Sequence, residues 1–295
     1  MKPLPPPSQG RESHNPALFS FLPNTYNRLI ESKTPQESDC PRNALTIALT
    51  LFKITKMKLE QTLKDRIKNL DWDQINHTLH DKGFVIVKQV LDEKSCDILI
   101  GDYEADAYRK TVNMERYRFG YGEYKYYKYP LPAVITDLRG SVYPHIVPVA
   151  NAWMRELGID RQFPETHEEM KQLSHEAGQT KPTALILQYT EGGFNTLHQD
   201  LYGEVYFPIQ MVFMLDQHNS DYTGGEFVLT EQIPRAQSKA NVLTPDMGDM
   251  VLFTTNFRPV KGSKGYYRVN MKHGVSPVHS GKRHSLGIIF HDALS

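Results

Sequence analysis

From Lys181 to the C-terminus the chain runs in short apolar, β-rich stretches separated by Gly, Pro, Asn and Asp. The runs are Ala184 to Tyr189, Ile209 to Leu215, Glu226 to Leu229, Met250 to Phe253 and Ser285 to His291. Strands this short, with turn residues between them at fairly regular spacing, predict an antiparallel sandwich or barrel rather than a parallel sheet. A jelly roll fits best. Gly224-Gly225 reads as a tight turn, where a positive φ costs glycine little. No internal repeat and no Gly-rich phosphate loop is apparent.

Upstream the pattern is helical. Asp71 is a candidate N-cap, Trp72, Ile75 and Leu79 share a face, and Gly83 can close the helix. Phe84 to Val90 reads as a strand, and Asp92 opens a second helix with Cys96, Leu99, Ile100 and Tyr103 on one side. A third is expected from His145 to Leu157, and Thr166 with Glu169 forms a capping box for a fourth. The expected class is therefore α+β: a double-stranded β-helix (jelly-roll) core with supporting N-terminal helices. Residues 57–295 are expected to form one domain, with helical support mainly over 57–180 and the jelly-roll part over 181–295. Residues 1–56, with Pro3, Pro5, Pro6 and Pro7 and no sustained periodicity, are expected to be a disordered leader. Met57 opens the first patterned segment, so the physiological protein is expected to start there.

Lysine plus arginine, 34, equals aspartate plus glutamate, 34, so no global field recruits nucleic acid or a membrane surface. Any such partner must use a local patch. Cys40 and Cys96 are too few for a disulfide framework, and a reducing cytoplasm is the expected compartment. The most apolar run, Ala44 to Phe52, is too short to span a bilayer and lies far from the N-terminus, so neither a membrane span nor a targeting signal is expected. The oligomeric state is not legible.

Chemistry enters with His198-Gln199-Asp200, His273 and Arg283-His284-Ser285. Two imidazoles and a carboxylate are the ligand set of a non-haem Fe(II) held on one face, with positions left for a co-substrate and O2. A lone His-x-Asp is weak, since a loop His beside a solvated Asp is the commoner outcome. In a strand, however, residues i and i+2 share a face, so His198 and Asp200 can address one ion. A third ligand should come from a later, neighbouring strand. His273 suits this role ahead of His279 and His291, because ten residues to Arg283 leave room for a turn at Ser280-Gly281 and a return strand.

Residues Lys181 to Asp292 resemble the catalytic region of the 2-oxoglutarate- and Fe(II)-dependent oxygenases, especially the branch that includes the prolyl hydroxylases. The matching stretches are Gln188 to Gly193, Thr223 to Phe227, Gly248 to Phe253, and His273-Gly274-Val275 through Arg283-His284-Ser285. A nearer likeness is to a little-characterised group of such enzymes described as acting on damaged nucleic acid. The resemblance implies Fe(II) on His198, Asp200 and His273, with 2-oxoglutarate and O2 as co-substrates. It also implies that Arg283 grips the far carboxylate of 2-oxoglutarate as a bidentate fork, with Ser285 and Tyr189 as further donors. The reaction implied is decarboxylation of 2-oxoglutarate to succinate and CO2, coupled to hydroxylation or oxidative demethylation of a substrate. No separate catalytic dyad is expected. The spacing from His273 to Arg283 resembles the prolyl-hydroxylase branch more than the alkylated-base demethylases, which keeps a protein or small-molecule hydroxylase open. A non-catalytic jelly-roll binding module is the alternative of a different class.

Two stretches bear on the substrate. Between Asn256 and His284 lie seven basic residues and no acidic one, a run expected to reach the mouth of the site and attract an anionic ligand or phosphate backbone. The alternative is a solvated loop with Arg283 as its one functional cation. The stretch from Tyr117 to Tyr129 interleaves aromatics with cations. A β-hairpin with Tyr packed inward explains it more simply than a stacking platform for unpaired bases.

Overall fold

The computed structural model describes residues 63–295 apart from Pro234. The expected leader, its apolar run and Cys40 lie outside the described residues. A helical turn over 63–68 precedes α1 (Trp72–Lys82), which the Asp71 side chain caps by accepting from the Gln74 N–H. Gly83 closes α1 in the left-handed conformation and leads into β1 (Phe84–Val87). Next comes α2 (Glu93–Gly101), capped by Asp92, and Thr166 and Glu169 form the capping box of α4 (His167–Glu176). No described helix is long and apolar enough to cross a membrane.

Between them α3 (Ala133–Glu156) begins twelve residues before the expected His145, because Pro144 and Pro148 lie inside it. Each proline removes one N–H from the helical ladder. Both are exposed and four residues apart, on the solvent side where the freed carbonyls can be hydrated, while the opposite face buries eleven residues including Trp153.

The core is a jelly roll of two main antiparallel sheets. Its larger sheet runs β1-β11-β7-β15-β5-β4-β2, with β2 (Tyr108–Asn113), β4 (Glu123–Tyr127), β5 (Leu185–Tyr189), β7 (Ile209–Met214), β11 (Met250–Thr254) and β15 (Arg283–Ile288). The second runs β10-β9-β13-β6-β3, with β3 (Gly120–Tyr121), β6 (Phe194–His198), β9 (Phe227–Gln232), β10 (Lys239–Leu243) and β13 (Gly265–Val275); β12 (Phe257–Gly262) pairs with β13. A short ladder of β8 (Tyr222–Gly224) with β14 (Val278–Gly281) completes it.

All six residues of β7 are buried, which explains why it is apolar on both faces save for Gln210. Met211 and Phe213 pack among the helices with Leu79, Ile135 and Trp153, whereas Val212 and Met214 face Phe227, Leu229 and Met271 of the second sheet. The large sheet is thus covered on both sides, and the site lies between the two sheets.

Four strands, β1 to β4, lie upstream of residue 181, in the part expected to be mainly helical. The Tyr-rich stretch is not one hairpin. Its first half joins the second sheet through β3 and β6, and its second half joins the large sheet between β2 and β5. Tyr126 and Tyr127 are buried as expected, but Tyr117, Phe119 and Tyr121 are exposed.

The basic run is likewise redistributed. Arg258 is buried and paired with Glu231 at 2.8 Å. Lys261 and Lys264 sit at the tip of the β12–β13 hairpin, and Arg268 and Lys272 alternate outward on β13 while Val269, Met271 and His273 face inward. Period-two geometry therefore turns Arg268 and Lys272 to the outside of the sheet, and of the seven cations in this run Arg283 is the one that lines the cavity between the two sheets.

Candidate metal centre and co-substrate pocket

Strand pairing assembles the first half of the site. In the β13–β6 ladder His273 stands directly opposite His198, and their ring centroids are 4.1 Å apart. Asp200 does not lie in the strand, as its spacing from His198 suggested; β6 ends at His198, and Asp200 belongs to the loop beyond. That loop is pinned on both sides. The Gln199 amide donates to the carbonyls of Asn256 (3.0 Å) and Met271 (2.8 Å), and the Tyr202 hydroxyl donates to Asp200 Oδ1 at 2.9 Å. Tyr126 and Tyr202 join hydroxyl to hydroxyl at 3.0 Å.

The result is a convergence of ligand atoms, His198, Asp200 and His273 each offering one within 4.8 Å of the others. His273 Nε2 lies 3.2 Å from Asp200 Oδ2, and His198 Nε2 lies 3.6 Å from Asp200 Oδ1. The carbonyl of Thr196 holds His198 Nδ1 at 2.8 Å, a bond that makes Nδ1 the donor and leaves the Nε2 lone pair for the centre. His273 Nδ1 is buried with no partner among the described residues. Burial by itself raises the Asp200 carboxyl, but the His273 hydrogen bond, the His273 and His198 charges and the Tyr202 hydroxyl outweigh it and hold Asp200 well below the usual carboxylate range. Burial, then the neighbouring His198, lowers His273. An ionised carboxylate is the form a divalent metal requires of Asp200, and the lowering of His273 favours the neutral imidazole that such a metal takes.

The second half comes from the facing sheet. Arg283 stands opposite Tyr189 in the β15–β5 ladder. Its guanidinium is 1% exposed and lies 5.5 Å from the Tyr189 ring centroid and 5.8 Å from that of Tyr222. It donates to Ser285 Oγ (3.2 Å) and approaches Met214 Sδ (3.1 Å), while Nε has no partner. No carboxylate among the described residues pairs with it. A buried cation is normally paired, because desolvation costs several kcal/mol, and this one is left without a counter-charge among the described residues. The Tyr189 hydroxyl is also buried, and burial pushes the phenol up to about 12 against the lowering pull of Arg283 and of the neighbouring Asn195 side chain.

Tyr189, His198, Asp200, His273, Arg283 and Ser285 all line one cavity of about 240 Å³. The rival histidines do not. His279 is exposed on β14, and His291 is buried with Nδ1 accepting from the Phe207 N–H. The glycine turns behave as their text implied. Gly224, Gly225 and Gly281 have φ of 70°, 62° and 80°, and a Cβ on Gly281 would stand 2.0 Å from the Asp221 carbonyl oxygen. That turn returns the chain so that Arg283 faces the centre.

Sequence reasoning missed Tyr202, Tyr126, Tyr222 and Met214. Tyr202 had a faint signal, lying two residues past Asp200. The others come from distant segments and carried none.

The donor set therefore fits Fe(II), and the unpaired guanidinium fits the free carboxylate of a dicarboxylic acid. Residues 122–293, more than half of the chain, match the family described as an oxygenase "catalysing oxidative methylation of damaged DNA". The chain belongs to this family of 2-oxoglutarate- and Fe(II)-dependent oxygenases, whose chemistry uses Fe(II), 2-oxoglutarate and O2. Two uncharacterized proteins of Mycobacterium tuberculosis, from strains CDC 1551 and H37Rv, are each 44% identical over 164 residues, covering 56% of this chain and 70% of theirs. Among solved structures, a Pseudomonas putida prolyl-4-hydroxylase aligns with a TM-score of 0.45 at 13% identity, over 75% of this chain and 98% of its own. A Trichoplax adhaerens prolyl hydroxylase, solved with a hypoxia inducible factor peptide fragment, aligns with a TM-score of 0.47 at 15% identity, over 79% and 93%.

Proposed function

We propose that this protein oxidises damaged nucleic acid, by hydroxylation or oxidative demethylation, with Fe(II) on His198, Asp200 and His273 and 2-oxoglutarate anchored by Arg283, Ser285 and Tyr189. The observation that carries the reading is the convergence of His198 and His273 of one sheet with Asp200 of the loop beyond it, set against a buried guanidinium on the other sheet that meets no carboxylate among the described residues. When bound, Fe(II) with 2-oxoglutarate and O2 supplies the oxidising chemistry, releasing succinate and CO2.

The side chains bind, orient and exclude water. The Arg283 fork takes the far carboxylate through two parallel hydrogen bonds, as a lysine could not. Ser285 and Tyr189 bear hydroxyls on the same cavity wall and donate to the same anion. Leu185, Leu187, Val212, Phe227 and Phe253 form apolar walls that keep bulk water from the reacting centre. No side chain is required as nucleophile or general base. The family description supports damaged DNA as the substrate class, and the ten-residue spacing from His273 to Arg283 favours a protein or small-molecule hydroxylase as the second reading. The cytoplasm is the proposed compartment.

The test is anaerobic addition of Fe(II) and 2-oxoglutarate, with the weak visible charge-transfer band of the chelate as readout. It is followed by succinate release with O2 and methylated single-stranded DNA, proline peptides or metabolites. His198→Ala and Asp200→Ala should abolish iron binding and turnover. A missing band together with no succinate from any substrate would point to the non-catalytic binding module instead.

A further inference from the structure

Six of the thirteen exposed large hydrophobic side chains among the described residues lie on the turn before β3, on β3 and β6, and on the loop after β6, and four of them, Tyr117, Phe119, Tyr121 and Phe194, meet where β3 joins β6. They are held together by structure. Tyr117 and Phe119 stack with ring centroids 5.5 Å apart and planes 17° from parallel. The Phe119 carbonyl accepts from both the N–H and the hydroxyl of Thr196, each at 2.8 Å, which fixes the shelf to β6 two residues before His198. Tyr121 pairs across the ladder with Phe194. Phe119 also lines the cavity that contains the His/Asp/His centre, so the shelf is continuous with the site.

Exposed apolar surface concentrated at the rim of a cavity marks a binding surface. The charges beside it say what kind. Arg116 and Arg118 are exposed on either side of Tyr117 in the chain and outnumber the one exposed carboxylate of that turn, Glu115; Arg118 adopts the left-handed conformation (φ 59°), so aromatic faces and guanidinium groups share one short turn. Ring faces interleaved with cations serve unpaired bases joined by phosphates. A rigid duplex would instead call for a broad basic face, and Arg268 and Lys272 of β13 are turned to the outside of the sheet.

We propose that the Tyr117–Phe119 shelf, with Arg116 and Arg118, is the docking surface for single-stranded nucleic acid, stacking a base beside the one presented to the metal centre. This rests on the nucleic-acid reading of the site and narrows it to unpaired strands. The recognition it supplies is tolerant of sequence, because every base has a face to stack.

The test measures binding of a fluorescein-labelled oligothymidylate, and of a blunt duplex of the same length, to the full chain under anaerobic conditions with Fe(II) and 2-oxoglutarate. Wild-type protein should prefer the single strand. Tyr117→Ala should weaken that binding about 5- to 150-fold, the range for loss of one stacked base, while Tyr117→Phe restores it. Arg116→Ala should reduce the salt dependence by about one phosphate contact. Lys261→Ala with Lys264→Ala, at the hairpin tip, should leave affinity unchanged. Tight single-strand binding that survives Tyr117→Ala, that falls in the hairpin variant, or that is exceeded by the duplex would overturn the shelf while leaving the nucleic-acid reading in place. Failure of wild-type protein to bind either DNA would remove both.

Discussion

Replacing Arg283 by Met separates a guanidinium kept for an anion from one that holds the fold together. In the wild-type protein this cation is 1% exposed, meets no carboxylate among the described residues, and has Ser285 Oγ, Met214 Sδ, the Tyr222 side chain and the Tyr189 ring for company. Its desolvation is therefore poorly offset, and a thioether of similar length beside Met214 should leave the ligand-free protein at least as stable, because the cost of burying an uncompensated charge is removed. The ligand response should move the other way. At a 2-oxoglutarate concentration of one hundred times its Kd, wild-type protein gains ~2.7 kcal/mol from mass action, or ~5–11 °C in Tm for a domain of this size. Losing a buried charged contact costs ~2–5 kcal/mol, which weakens the ligand at least ~30-fold. The variant should then gain under ~1 kcal/mol at the same concentration. Anaerobic thermal denaturation with saturating Fe(II), with and without 2-oxoglutarate, reads both quantities. An Arg283→Met protein that is clearly less stable without ligand, yet keeps the wild-type shift with it, would refute the assignment.

Two further outcomes follow from the site and the core. Tyr202→Phe removes the hydrogen bond to Asp200 Oδ1 and frees that oxygen to swing, so Fe(II) affinity measured by chelator competition should fall ~10- to 100-fold; an unchanged affinity would exclude a positioning role. Burial lowers the imidazole of His291 to about 4 and that of His167 to about 2. Folded values below the unfolded ones mean that, as pH falls beneath the ordinary histidine range, the unfolded chain takes up protons the folded chain refuses. Stability is then full above that range and declines below it, by at most ~1.4 kcal/mol per pH unit for each group. Urea denaturation at pH 7.5 and 5.0 should show this loss, and equal midpoints would contradict it.

What the sequence by itself determined is whatever local chemistry encodes. The caps at Asp71, Asp92 and Thr166, the glycine stops and turns, and strands β1, β5, β7, β11 and β15 of the large sheet are each written within a few residues, because backbone termination and two-sided burial leave short-range marks. The donor types His198, Asp200, His273 and Arg283 were legible too, since few side chains can serve a metal or fork onto a carboxylate. Tertiary structure decided the rest. Strand β6 is mostly exposed and β13 carries charges on its outer face, so neither reads as a strand until its partner is present. Helix α3 continues through two prolines because its other face is buried. The basic run lost its expected place when alternation turned Arg268 and Lys272 outward, and the Tyr-rich run divided between two sheets. Tyr202, Tyr222 and Met214 gained their roles only through neighbours distant in the chain. Hydrogen-bonded register, which the pairing of separate segments sets, is what put His198 opposite His273 and Tyr189 opposite Arg283.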